Sequence, residues 1–187
     1  MVTLLKQILT RALARSRPAN TPLEKLISCW SKSGRRMMPG AWEKEVQDFE
    51  AKYGVTLPRD FREYLACIGN STVGQKDWGL SGGKDLYAFW ALNEIKSVPE
   101  ETDTRSVPES EDPSSYFIFA DYCIWCWAYA ICVGPNEPGK VIVVGALEPT
   151  VIANSFTEFI EAYMQDPNRG ILEPLTVANL SPPVRAR

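Results

Sequence analysis

The sequence lacks histidine altogether, although it is 187 residues long. Histidine is the side chain that most often moves protons near neutral pH, activates serine or cysteine nucleophiles and binds catalytic zinc. A phosphate-binding loop of the form G-x-x-x-x-G-K-S/T is also missing, and the glycine cluster at residues 79–83 lacks the flanking strand and helix that a phosphate site needs. These absences predict that the protein is not an enzyme and uses no metal or cofactor.

No run of apolar residues approaches the length of about 18 that a bilayer-spanning helix requires. The most apolar stretch, residues 116–133, is interrupted by Asp121. Near the N-terminus, Lys6 and Arg11 interrupt the apolar residues, so the sequence offers no clean secretion signal. Because the cysteine count of five is odd, we expect reduced thiols in a cytoplasmic protein without disulfides.

Charge is distributed unevenly along the chain, whose net charge is −3. Residues 1–36 contain eight lysines and arginines against the single acid Glu24, so the rest of the chain is much more acidic than the net charge suggests. An acidic surface repels nucleic-acid phosphate and attracts basic proteins. The sequence therefore predicts a protein partner and no nucleic-acid partner, for a chain that is a monomer or a homodimer.

Residues 1–36 are predicted to be a basic, helical N-terminal extension. Apolar residues recur at spacings of three and four within residues 1–17, which is typical of an amphipathic helix. This helix packs on the domain or on a second copy, or else it is an organelle transit peptide or a membrane-surface helix. A capping box of Thr21 and Glu24 predicts a second helix that reaches about Ser33, followed by a basic linker over residues 34–40.

Residues 37–187 are predicted to form an α+β domain with its core at residues 40–166 and a short C-terminal tail. Two helices are expected to end at Gly54 and Gly69, and a third begins at a capping box of Ser155 and Glu158. Four apolar, aromatic or β-branched runs are predicted to be strands: 86–92, 116–120, 124–133 and 141–145. We expect an antiparallel or mixed sheet of about four to six strands, flanked by helices.

The run at residues 124–133 alternates bulky and small side chains. As a strand, it places Trp125, Trp127, Tyr129 and Ile131 on one face, which is either core or a recognition surface, with core favoured. Cys123 and Cys126 have the spacing of a redox motif, but two residues three apart in a strand point to opposite faces. We therefore interpret both thiols as structural.

The segment from Glu94 to Asp112 is rich in acids and proline and is predicted to be a mobile acidic loop. Trp78 lies in the polar loop 71–85 and Trp90 lies at a strand end, so both tryptophans are candidates for exposure. Aromatic rings and charges together are typical of protein interfaces. The predicted partner-binding residues are Asp77, Trp78, Trp90, Glu94, Glu100, Glu101, Asp103, Glu109, Glu111 and Asp112. A pair such as Asp77 and Asp121 could alternatively perform acid–base catalysis or bind a small ligand.

Several motifs in residues 40–166 carry a resemblance to a known family. They are Phe49-Glu50-Ala51-Lys52-Tyr53-Gly54, then Leu57-Pro58-Arg59-Asp60-Phe61-Arg62-Glu63-Tyr64-Leu65, then Leu86-Tyr87 before Leu92 and Ile95, and finally Ile152-Ala153-Asn154-Ser155-Phe156 with Phe159-Ile160. In order and spacing they resemble the SUKH superfamily, which includes the Smi/Knr-type cell-wall regulator of yeast and many bacterial toxin-immunity proteins.

The resemblance implies an α+β domain whose sheet and flanking loops bind a protein. Bacterial members are similar to immunity proteins, which bind a cognate toxin, such as a nuclease, inside the cell that makes it. The acidic segment with its aromatic neighbours fits the cationic cleft of a nuclease. A regulatory scaffold that assembles other proteins, with the basic N-terminus as a docking element, is the alternative that the same resemblance leaves open.

Overall fold

The computed structural model describes residues 21–32, 37, 39–68, 86–102, 107–146, 148–167 and 170–174. The predictions for the helix at residues 1–17, for Asp77 and Trp78 in their loop, for Asp103 and for the end of the tail lie outside the described residues. They stay predictions.

The described residues form an α+β fold, as the sequence predicts. The α-helices are α1 (Pro22–Lys32), α2 (Glu43–Tyr53), α3 (Arg59–Ile68), α4 (Val98–Glu101) and α5 (Phe156–Gln165). The strands are β1 (Tyr87–Phe89), β2 (Lys96–Ser97), β3 (Tyr116–Tyr122), β4 (Trp127–Cys132), β5 (Val141–Val144) and β6 (Thr150–Ala153). A 3₁₀ turn at Pro113–Ser115 leads into β3.

Every strand pairing in the sheet is antiparallel, and the order is β1-β3-β4-β5-β6. The two short strands β1 and β2 pair with different parts of β3, at residues 120–122 and 117–118. Since β4 occupies the other side of β3 along its length, β1 and β2 together form one interrupted edge strand. The chain between them, residues 90–95, leaves the sheet at this interruption.

Helices cover one face of the sheet, which is lined by aromatic and branched side chains. Trp127, Tyr129 and Ile131 of β4 point to this face and join the same hydrophobic cluster as residues of α1, α2, α3 and α5. The opposite face carries the smaller Ala128 and Ala130 and packs against Val98 of α4. The predicted alternation along residues 127–132 is confirmed, and the aromatic face is core.

Helix α1 contributes directly to this core. Leu26 and Trp30 are fully buried, and the Trp30 Nε1–H donates a 2.8 Å hydrogen bond to the hydroxyl of Tyr163 in α5. The predicted capping box is present, since the Glu24 amide donates to the Thr21 hydroxyl and the Thr21 amide donates to the Glu24 carboxylate. A domain boundary near residue 36 stays a prediction, but α1 packs as part of the domain's own interior.

The predicted strand at residues 124–133 is too long at its start. Cys123–Cys126 form a turn, in which Cys123, Ile124 and Trp125 have positive φ angles of 52°, 55° and 62°. Trp125 therefore does not share a face with Trp127, and the assignment of the two cysteines to opposite strand faces is wrong. The chain must reverse here to pair β4 with β3, and that requirement overrides the strand preference of these residues.

The described parts of the acidic segment, residues 94–102 and 107–112, contain more regular secondary structure than the predicted loop. They contain β2 and α4, and Ile95, Val98 and Val107 are buried against the sheet. A capping box of Ser97 and Glu100, with Pro99 in the first turn, starts α4. Strand β6 was also not expected from the sequence. Both β2 and β6 are short segments whose pairing partners fix them more than their own composition does.

Asp60 links the Leu-Pro-Arg-Asp-Phe motif to the start of α5. Its carboxylate accepts hydrogen bonds from the Thr157 amide at 2.8 Å and the Thr157 hydroxyl at 2.9 Å. An acceptor at a helix N-terminus satisfies an amide that has no partner within the helix. The motif thus has a structural role, because Asp60 attaches the start of α3 to the start of α5.

Replacing Asp60 with alanine is expected to lower the free energy of unfolding by about 1–2 kcal/mol, because the Thr157 amide loses its acceptor. Urea denaturation followed by circular dichroism measures the change. Asp48→Ala is the matched control: this exposed carboxylate pairs with exposed Lys44 within α2, and its loss is expected to cost less than about 0.5 kcal/mol. Equal losses in both variants would contradict the capping role.

Candidate protein-binding site

The turn between β3 and β4 presents apolar side chains to solvent. Ile124 is 73% exposed and Trp125 is 37% exposed. The half-buried ring of Trp90 packs beside Trp125, with ring centroids 5.7 Å apart. We call Trp90, Asp121, Ile124 and Trp125 the Trp90–Trp125 patch. Exposed aromatic and aliphatic side chains backed by a fixed neighbour are typical of the anchoring residues of protein interfaces.

A buried carboxylate holds the patch together. Asp121 is only 3% exposed, and its two oxygens accept hydrogen bonds from the Trp90 Nε1–H at 2.8 Å and the Trp125 amide at 3.2 Å. Asp121 therefore joins the chain after β1 to the turn after β3. Burial raises the pKa of Asp121 above its ordinary value, although both hydrogen bonds oppose that shift.

The turn that carries Ile124 and Trp125 is held in an unfavourable backbone conformation. Left-handed φ angles cost about 1–2 kcal/mol for each residue other than glycine. Hydrogen bonds at both ends of the turn offset part of this cost: the Cys123 amide donates to the Leu86 carbonyl at 2.9 Å, and the Cys126 amide donates to the Tyr122 carbonyl at 3.0 Å. Strain of this kind clusters at functional sites, where the surrounding structure maintains it.

The acids of the segment from Glu94 to Asp112 are largely engaged within the domain. Three of them accept backbone hydrogen bonds at turns or helix starts: Glu94 from Ala91, Glu100 from Ser97, and Asp112 from Ser114. Two others form ion pairs, Glu101 with Lys96 and Glu111 with Lys140. Glu109 is exposed and makes no hydrogen bond or ion pair with the described residues.

Glu100 and Glu111 remain charged near neutral pH. Partial burial alone would raise the pKa of Glu111, but hydrogen bonds from Tyr116 and Lys140 outweigh it and lower that pKa below its usual value. For Glu100, hydrogen bonds from Ser97 likewise outweigh the effect of burial and lower the pKa. Glu100 and Glu111 thus keep their negative charge, although Lys140 compensates part of that of Glu111.

The predicted site residues that the structure describes do not form a single cluster. Trp90 lies beside the turn that follows β3, and Glu94 lies between β1 and β2, whereas Glu109, Glu111 and Asp112 lie before β3 begins. Strand β3 spans seven residues, which separates its ends by about 20 Å. Glu100 and Glu101 lie between the two groups, beside β2. Any single partner that contacts all of them covers the whole edge of the sheet.

Sequence patterns did not identify Ile124 and Trp125 as surface residues. The tetrapeptide Cys-Ile-Trp-Cys contains no glycine, proline, asparagine or aspartate, so it carries none of the usual turn signals. The preceding Asp121 is the one polar residue in an apolar run, and a buried acid inside a strand is the signal that could have indicated a special position.

Residues 40–162 match the SMI1 / KNR4 family (SUKH-1). The chain belongs to this family. The SUKH-1 match contains α2, α3, the whole sheet and most of α5, so it includes the Asp60 contact with Thr157 and the entire Trp90–Trp125 patch. Helix α1 precedes the matched region, although it packs in the same core. No curated protein matches the chain.

Two further properties of the described part of the chain bear on its chemistry. None of its helices combines the length and apolar character needed to pass through a bilayer. Within the same residues, no three or more cysteine, aspartate or glutamate side chains are grouped so that they could hold a metal ion. The buried oxygens of Asp121 already accept hydrogen bonds, and Asp77 lies outside the described residues.

Asp121→Asn is expected to lower the free energy of unfolding by about 1–3 kcal/mol, because an amide offers only one acceptor to the two donors. The loss depends on pH in a defined direction. Since the folded state raises the pKa of Asp121, the contribution of its protonated form is complete below the unfolded value, about 3.9, and is lost as pH rises through the folded value. Urea denaturation from mildly acidic to neutral pH should therefore show the difference between the two proteins shrinking.

Asp112→Asn is the control, for which we expect the opposite dependence of the stability difference on pH. Hydrogen bonds from Ser114 lower the pKa of exposed Asp112, so its contribution is present above the unfolded pKa and is lost as pH falls through the folded one. The difference between wild type and this variant should grow with pH. Parallel trends in both variants would contradict the assignment of the raised pKa to Asp121.

Proposed function

We propose that the protein is an immunity protein that binds a cognate, basic protein toxin directly and thereby neutralises it. The observation that carries this proposal is the Trp90–Trp125 patch, where apolar side chains are exposed on a strained turn within the SUKH-1 domain. An exposed apolar turn in a left-handed conformation stabilises nothing by itself. In this proposal the partner buries Ile124 and Trp125, and that burial offsets the energetic cost of the left-handed turn.

Preorganisation strengthens binding by the patch. Asp121 and the neighbouring ring of Trp90 fix Trp125 before a partner arrives, so little side-chain entropy is lost on association. Tryptophan is also among the residues most often found at the energetic centre of an interface. The patch therefore serves as the anchor, and the residues around it need only exclude water.

The acidic residues supply attraction at longer range. Glu109 and Asp112 are exposed, and Glu111 and Glu100 keep their charge. A nuclease toxin presents a basic cleft to its phosphate substrate, and charges of opposite sign accelerate the encounter of two proteins. In this proposal the acids guide the toxin and the patch holds it. An immunity protein of this kind acts in the cytoplasm of the cell that makes the toxin, with no nucleic acid bound to it.

Co-expression with the protein encoded by the neighbouring gene tests the proposal directly. If that protein is a toxin, cells should survive only when they also make this chain, and the two purified proteins should form a complex. A toxic neighbour that this chain neither binds nor neutralises would overturn the proposal.

Trp125→Ala and Ile124→Ala are each expected to weaken toxin binding by about 30-fold or more, which corresponds to the loss of about 2 kcal/mol at an interface anchor. Isothermal titration calorimetry measures the affinity, and urea denaturation confirms that each variant is folded. Trp42→Ala is the matched control, because Trp42 is 61% exposed, lies at the start of α2 and is not one of the residues of the patch. A larger loss in the Trp42 variant would place the interface elsewhere.

Glu109→Lys is expected to slow association with a basic toxin by about threefold at low salt and to weaken the dependence of that rate on salt concentration. Stopped-flow fluorescence measures the association rate. Glu161→Lys makes the same charge change at an exposed position of α5 and should leave the rate close to that of the wild type. Identical rates for both variants would remove the acidic segment from the proposed interface.

Deletion of N-terminal residues distinguishes the alternative function, a regulatory scaffold, from an immunity protein. If the chain assembles other proteins through its basic N-terminus, removal of residues 1–20 should abolish the complex and leave the domain folded. The deletion has to stop before α1, because Leu26 and Trp30 belong to the core. An immunity protein that binds through the Trp90–Trp125 patch should tolerate the same deletion.

A further inference from the structure

The turn that presents Ile124 and Trp125 has a cysteine at each end. Cys123 is half-buried and Cys126 is exposed, and both are free thiols. The Cys126 amide donates to the Tyr122 carbonyl, which bends the chain back, and the Cys126 Sγ donates a hydrogen bond to the Cys123 carbonyl at 3.0 Å. The two residues close the base of one tight turn.

The turn places the side chains of Cys123 and Cys126 differently from a strand. Two strand residues three positions apart point to opposite faces, and their sulfurs cannot meet. In the observed turn, the Cys126 thiol lies directly over the backbone of Cys123. Hydrogen bonding to Cys123 raises the pKa of the Cys126 thiol, which agrees with the two side groups being neighbours.

The other cysteines are placed differently. Cys132 is buried at the far end of β4, opposite Tyr116. Cys29 and Cys67 are partly buried in α1 and α3. Of the five cysteines, Cys126 is the exposed one, and Cys123 is its neighbour in the turn.

We propose that Cys123 and Cys126 form a reversible disulfide by exchange with a low-molecular-weight disulfide such as oxidised glutathione. The Cys126 thiolate attacks one sulfur of the small disulfide, which forms a mixed disulfide and releases one small thiol. The Cys123 thiolate then attacks the Cys126 sulfur, which closes the protein disulfide and releases the second small thiol. Two protein thiols are oxidised, and one small disulfide is reduced to two thiols.

Accessibility assigns the order of these two steps. Cys126 is exposed and can meet the small disulfide, whereas Cys123 is half-buried and acts as the resolving thiol. Because the thiolate is the nucleophile and hydrogen bonding raises the pKa of Cys126, the exchange should be slow near neutral pH and accelerate as the solution becomes alkaline. The fraction of protein that carries the disulfide thus depends on the redox potential of the surrounding solution, and not on an unusually reactive Cys126 thiol.

The bond would close the base of the turn whose tip carries Ile124 and Trp125. A covalent link there restricts the backbone to conformations in which Cys123 and Cys126 stay close, as they do in the reduced protein. The proposal concerns the two thiols alone, so it is independent of which partner, if any, binds the Trp90–Trp125 patch.

The test uses the full chain equilibrated in glutathione buffers of graded redox potential, followed by rapid alkylation of the free thiols and peptide mass spectrometry. The expected product has lost two hydrogens and links Cys123 to Cys126, while Cys29, Cys67 and Cys132 are alkylated. In concentrated urea the equilibrium constant for this disulfide should fall by about tenfold or more, since only the fold holds the two thiols together.

Single variants separate the two roles. Cys123→Ser should accumulate a stable mixed disulfide of glutathione at Cys126, because the resolving thiol is missing. Cys126→Ser should react much more slowly, because the remaining thiol is half-buried. Accumulation of the mixed disulfide in the wild-type protein, or an equilibrium constant unchanged by urea, would overturn the proposal.

Discussion

The pairing of β3 with β4 is the constraint on which the rest of the structure depends. Successive residue pairs of this hairpin send their side chains alternately to the helices and to the opposite face, apart from a register irregularity between Ile118 and Ala120. On one face, large side chains such as Phe117 and Tyr129 form one continuous core with the apolar faces of four helices. On the other face, the smaller Ala128 and Ala130 allow close packing. The order of layers follows from this alternation.

Asp121 is the exception to this apolar pattern, and it explains the position of the surface turn. A buried carboxylate without hydrogen bonds would cost several kcal/mol, so its two oxygens must find donors. The available donors are the Trp90 indole and the Trp125 amide, which lie on separate chain segments. Satisfying one buried acid therefore fixes the edge of the sheet and the reversal of the chain at the same time.

Local signals predicted the helices well and the edge of the sheet poorly. The helix end at Gly54 and the capping box of Thr21 depend on neighbouring residues only, and each appears where the sequence predicts it. At α5 the Ser155 hydroxyl caps the helix as predicted, but the Glu158 carboxylate accepts from the Asn154 amide instead of the Ser155 amide. The positions of β2, β6 and the Cys123–Cys126 turn depend on strands distant in sequence, so composition alone did not reveal them. At the site the contacts are of two kinds: Glu94, Glu100 and Asp112 accept hydrogen bonds from residues two or three positions away, whereas the Glu111–Lys140 ion pair joins segments distant in sequence.

The conformation of the turn carries an energetic cost that fits the proposed binding role. Three consecutive left-handed residues cost about 3–6 kcal/mol together, which is a large share of the net stability of about 5–15 kcal/mol typical of a domain. Glycine or asparagine at these positions would reverse the chain at lower cost. The actual residues are Cys123, Ile124 and Trp125, and the last two expose large apolar side chains to solvent. A turn selected only for stability would carry neither the strain nor the exposed apolar surface.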